Sequence, residues 1–241
     1  MIKYLNLLLF GGMIAMNYLA NALPMNGKTT GQLSDSYPNL FVPAGITFSI
    51  WGIIYLLLAG YCAVQFSSDN QAVLAKTGWL FALSCVLNAL WIVCWHYEKL
   101  PLSLFTMFAL LITLIYINTR VVNLPLGMVK ASFGIYLGWI CIATIANVTA
   151  LLVHYKWGRF GISEETWTII MIITGALIAY LALYRLRNPF IGLSAIWAFS
   201  GIVIKRQHDY HMIVIASVIA LLVLGLLTIL GFFRFKSINM S

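Results

Sequence analysis

Runs of about twenty apolar residues recur along the whole chain, and no other feature limits its fold so strongly. A helix rises 1.5 Å per residue, so about 20 residues cross the hydrocarbon core of a bilayer. Such runs occupy residues 4–22, 43–65, 78–97, 101–118, 131–153, 167–184, 189–204 and 211–233. Eight spanning helices are expected, or seven if 189–204, the shortest run, is a tilted or re-entrant segment. Only 8% of the residues are charged and 62% are hydrophobic, whereas a soluble domain needs about a quarter charged. A soluble domain, a disordered chain, a collagen-like repeat and a secreted disulfide scaffold are all excluded by that balance. Cys62, Cys85, Cys94 and Cys141 lie inside apolar runs without metal-ligand spacing and read as small packing residues.

The boundaries of the runs carry their own signals. Pro24, Pro38, Pro43, Pro101, Pro125 and Pro189 fall in connections or at helix starts, where a missing N–H matters little. Ser163, followed by Glu164 and Glu165, predicts an N-cap with acids in the first helical turn of the sixth segment. Ala20-Asn21-Ala22 imitates a signal-peptidase site, but the first run is long enough to span and is read as a retained helix.

The net charge of +8 does not mark a nucleic-acid surface, because the basic residues are scattered between apolar runs. Lys and Arg gather near helix ends, beside lipid headgroups. With eight spans, Lys3, Lys76, Arg120, Lys130, Arg185, Arg187, Arg234 and Lys236 share one side, and Lys28, Lys99, Lys156, Arg159, Lys205 and Arg206 the other. The positive-inside rule then favours cytoplasmic termini, in a cell membrane, by a narrow margin.

No ionisable residue sits at the centre of a run, which argues against ion pumps, proton-coupled carriers and voltage sensors. No acid/base pair or activated nucleophile supports ordinary catalysis. His208 and His211 lack a third metal ligand and are read as solvent-facing, so neither a metal nor any required cofactor is expected.

What the runs present instead is aromatic and amide groups at helical spacing. Phe48, Trp51, Tyr55 and Cys62 share one stripe, Ser84, Asn88, Trp91 and Trp95 a second, and Tyr136, Trp139, Ala143 and Asn147 a third. An amide in hydrocarbon is costly unless hydrogen-bonded, so Asn88 and Asn147 must face other helices or a cavity. Two readings follow: inter-helix packing, or a shared cavity for a flat, largely apolar ligand. Gly134 and Gly138 would admit another backbone, within the protein or across a homodimer.

At these residues the chain resembles the TspO/MBR family, the tryptophan-rich sensory proteins and translocator proteins that bind porphyrins, haem and sterol-like ligands. Pro43 followed by Trp51-Gly-Ile-Ile-Tyr55 is similar to the opening of the family's second helix. Leu87-Asn88-Ala89-Leu90-Trp91 resembles its third-helix motif, and Tyr136-Leu137-Gly138-Trp139 with Asn147 its fifth. The resemblance covers residues 1–155 and implies an all-α integral membrane protein: a five-helix TspO-like bundle over 1–155, extended over 156–241 by three further transmembrane helices. It implies a ligand pocket lined by Phe48, Trp51, Tyr55, Asn88, Trp91, Trp139 and Asn147, and a sensor or carrier for a porphyrin, haem or sterol-like molecule. The partners expected are therefore the lipid bilayer and a small hydrophobic ligand, with a homodimer open and no nucleic acid. A structural or regulatory subunit and a porphyrin-degrading enzyme are the alternatives. The chain departs from the family in its first loop, where residues 24–42 hold no tryptophan and offer Tyr37 and Phe41.

Overall fold

A computed structural model describes residues 1–23, 25–67 and 71–238, with side chains to 235; the expectation for Pro24 and the side chain of Lys236 lie outside the described residues. Helices account for nearly all of it: α1 (Ile2–Ala22), α2 (Thr30–Asp35), α3 (Ile50–Val64), α4 (Gln71–His96), α5 (Leu100–Arg120), α6 (Met128–His154), α7 (Glu164–Arg185), α8 (Phe190–Arg206) and α9 (His211–Ile238). Among the described residues seven segments are long and apolar enough to cross a membrane, one of them formed by the 3-10 turn Gly45–Ser49 continuing into α3. The remaining long helix, α8, has 17 residues and is the segment expected to be short.

Helices α1, α4, α5, α6 and α3 pack in that order as a closed ring, and α7, α8 and α9 pack on one another. The two groups meet because α8 and α7 lie against α6, the most enclosed helix of the protein. Close approach of α8 to α6 depends on Gly134 and Gly138. A Cβ on Gly134 would stand 2.7 Å from the Asn188 amide, and one on Gly138 within 3.0 Å of Ser194 and nearer still to the Ile191 carbonyl oxygen. The two glycines thus serve a contact inside the chain.

Boundary chemistry follows expectation at α7, where the Ser163 hydroxyl accepts from the Thr166 N–H at 3.1 Å and Glu164 and Glu165 fill the first turn. Pro101 sits in the first turn of α5. Lys130 differs from expectation. Its position at a helix start suggested a headgroup contact, yet the side chain is buried, with Nζ donating to the carbonyls of Val122 (2.8 Å) and Arg187 (3.0 Å). It thereby satisfies carbonyls just beyond the ends of α5 and α7, which have no intrahelical partner. Asn188 reinforces this junction by donating to Asn118 Oδ1 and to the Lys130 carbonyl, both at 2.9 Å.

Candidate functional site

The aromatic stripes of α3, α4 and α6 converge. Tyr55, Trp51, Trp91 and Trp95 form an offset-stacked column, with successive centroids 5.7, 6.3 and 6.2 Å apart and planes within 26° of parallel. Trp139 stands edge-on to Trp51 at 6.3 Å and to Phe48 at 5.9 Å, and Tyr136 edge-on to Trp51 at 5.9 Å. The 3-10 turn before α3 places Phe48 about one turn ahead of Trp51, so both rings address Trp139 of α6.

A cleft of about 50 Å³ lies against this column, lined by Phe48, Trp51, Trp91, Trp95, Trp139 and Asn147 on one side and Thr30, Ser34, Val42 and Pro43 on the other. Of the seven residues proposed from sequence, the structure brings five to it. Tyr55 instead faces an adjoining cavity of about 350 Å³ with Asn17 and Asn21, and the two spaces share Thr30, Phe48 and Trp51 as a partition. Asn88 touches neither cavity. It is fully buried in a chain of hydrogen bonds, accepting from Asn17 Nδ2 at 2.7 Å and donating to the Tyr136 hydroxyl at 2.9 Å. Asn147 Oδ1 receives the Ser103 hydroxyl at 3.3 Å.

Sequence reasoning missed the roof. Residues 24–42 read as a plain connection, but α2 forms there because Thr29 and Gln32 make a capping box, each side chain accepting from the other's backbone N–H. The Thr29-x-x-Gln32 spacing was the available signal. One side of the roof is tied to α4: Thr30 Oγ1 lies 3.0 Å from His96 Nε2, and the Tyr37 hydroxyl donates to Glu98 at 3.0 Å. Burial, then the bond to Glu98 and its charge, push the Tyr37 phenol up to about 12, so the proton it donates stays in place across the neutral range.

The other side is tied to α8. Arg206 donates to the carbonyls of Asn39 (2.8 Å) and Leu40 (3.1 Å), Lys205 pairs with Asp35 at 3.1 Å, and Trp197 donates to the Thr47 carbonyl at 2.8 Å. Gly201 lets this helix lie directly on Pro43, which a Cβ there would meet at 2.8 Å. Helix α8, outside the five-helix ring, is therefore part of the frame that holds Val42, Pro43 and Phe48 over the cleft.

The polar side chains of the cleft are Thr30, Ser34 and Asn147 beside the indole rings, with no carboxylate, histidine or thiol among the described residues that line it. The indole N–H groups of Trp91, Trp95 and Trp139 are all buried without an acceptor among the described residues. An unpaired buried donor costs about 1–3 kcal/mol, so three around one cleft are an unusual grouping.

An all-helical, multi-pass integral membrane protein with a tryptophan-lined cleft is the class that this fold and site define. The sequence model of the TSPO-like protein family matches residues 3–230, and the chain belongs to that family. The match runs on through α7 and α8 into α9. Comparison with curated proteins finds no match, and neither does comparison with solved structures.

Proposed function

We propose that the chain is a membrane sensor or carrier that binds a hydrophobic planar ligand of the tetrapyrrole class in the cleft between the tryptophan column and the roof. The observation that carries this reading is the set of three unpartnered indole donors beside one apolar cleft. A porphyrin offers a large flat apolar face together with carboxylate acceptors, whereas a sterol offers a single hydroxyl. Family membership supports a ligand of this kind.

The ligand has to open the site. Ligand clefts usually measure about 300–1,000 Å³, and the present 50 Å³ has room for little more than water. Nor can a flat ring slide between Trp51 and Trp91: two carbon surfaces need about 7 Å between them to accept a third layer, and these rings are already in contact. Entry therefore moves the partition of Phe48 and Trp51, joining the cleft to its 350 Å³ neighbour, or lifts α2.

Titrating the detergent-solubilised chain with protoporphyrin IX while following tryptophan fluorescence tests the reading. Saturable quenching is expected, with the dissociation constant raised about tenfold in Trp139→Phe, which keeps a ring but loses a donor to a charged acceptor. Linear quenching, equal in the variant and the parent, would mean partitioning into micelles and would leave the aromatic column as packing within a structural subunit.

A further inference from the structure

A separate cavity of about 360 Å³ opens where α6 ends and α7 begins, lined among others by Leu152, Lys156, Trp157, Arg159, Glu164 and Trp167. Because α6 and α7 both span, it lies at the membrane boundary. Tryptophans and cations are common there as simple anchors. Three observations set this group apart.

The first is backbone conformation. Helix α6 ends in a Schellman turn, with Trp157 N–H bonded to the Leu152 carbonyl at 3.0 Å and Lys156 N–H to Val153 at 2.9 Å. That turn puts Lys156 at φ 52°, and Arg159 follows at φ 53°, a region where a side chain costs about 1–2 kcal/mol relative to glycine. The same turn ends α4 with Glu98 (φ 54°) and α7 with Arg187 (φ 47°). Of these, the Glu98 carboxylate holds Tyr37 and Lys28, and the Arg187 backbone carbonyl receives Lys130, while among the described residues the Arg187 side chain has no partner and borders no comparable cavity.

The second is that neither Lys156 nor Arg159 has a side-chain hydrogen bond or ion pair among the described residues, although both are basic, exposed and beside the same cavity. The third is the aromatic wall. Trp157 and Trp167 meet edge to face at 4.9 Å, and the Trp167 indole N–H is buried without an acceptor among the described residues. The lining thus combines two free cations, a pair of tryptophan rings and, at Leu152, an apolar continuation along the end of α6.

We propose that this cavity is a phosphate-ester site at the membrane boundary. Lys156 and Arg159 take the phosphate, two cations against the single opposing charge of Glu164, while Trp157 and Leu152 lie against the apolar remainder of the molecule. An amphiphile such as a phospholipid suits the whole lining; a free phosphate would use its polar half alone. The site is distinct from the tryptophan cleft and does not depend on what that cleft binds.

Calorimetric titration of the full chain in detergent, with dihexanoyl phosphatidylglycerol kept below its micellar concentration, tests this directly. Saturable binding is expected in the parent, weakened at least about tenfold in Lys156→Ala/Arg159→Ala, with a smaller loss in Trp167→Phe. Both cations are exposed, so the double variant should fold, and its protoporphyrin response should match the parent's. Inorganic phosphate competing at the same site would identify the source as free phosphate; failure to compete, with the lipid still bound, would identify a headgroup. Equal lipid binding in the double variant, equal binding of dihexanoylglycerol, which has no phosphate, or no saturable binding of either phosphate probe would overturn the proposal.

Discussion

Gly138→Val is expected to destabilise the protein by more than about 3 kcal/mol, the upper end of what overpacking a close-fitting interior does. The atom that a Cβ would meet first is a backbone carbonyl, that of Ile191, with Ser194 immediately behind it. Neither yields by a rotamer change, so α8 itself has to move away from α6. The loss should extend to the cleft, because α8 carries Trp197, Gly201, Lys205 and Arg206, which fasten the roof. Unfolding followed by circular dichroism during titration with a denaturing detergent measures the change. Gly12→Ala is the matched control: nothing lies within 4 Å of a Cβ there, and alanine should be neutral or stabilising by up to about 1 kcal/mol. Parent-like stability in Gly138→Val would mean that α8 is not seated on α6 as described.

What the sequence disclosed about this molecule follows from the range over which each signal acts. Spanning segments are local and long, so their number and approximate limits were legible, and so was the shortness of α8. The stripes bearing Trp51, Trp91 and Trp139 were legible because helical spacing alone puts residues on one face. Which stripe residues meet a cavity was not, since rotation of each helix is set by contacts between helices. Asn88 and Trp91 are three residues apart on the same face, yet one is buried in hydrogen bonds and the other lines the cleft.

Long-range capping was equally hidden. Nothing local to Lys130 announces that its ammonium will reach carbonyls beyond two other helices, and nothing near Arg206 announces the carbonyls of Asn39 and Leu40. Residues 24–42 hold no tryptophan, and the structure closes the cleft with Val42, Pro43 and the short helix α2, clamped from both flanks. A roof made of small residues and tied through side-chain hydrogen bonds is one that can shift without unfolding a spanning helix.

Asn88→Ala should lower stability by about 2–3 kcal/mol and change ligand binding only as a consequence. The substitution leaves the buried Tyr136 hydroxyl without its partner and takes from the Asn17 amide one of its two bonds, the one to the Met13 carbonyl remaining, and an orphaned buried group costs about 1–3 kcal/mol. Within a bilayer the effect sits toward the lower part of that range, because the unfolded helices also find polar partners. Tyr136→Phe removes one bond and leaves Asn88 bonded to Asn17, so about 1 kcal/mol is expected. The double variant should lose less than the sum of the two, since both act on the same chain of hydrogen bonds. The same detergent unfolding assay gives all three values, and protoporphyrin titration of each folded variant separates the roles. A variant Asn88→Ala with parent-like stability but no saturable quenching would move Asn88 out of the network and into the cleft. The expected pattern instead makes it the joint between α1, α4 and α6, the three helices whose relative rotation decides where Trp91 and Trp139 point.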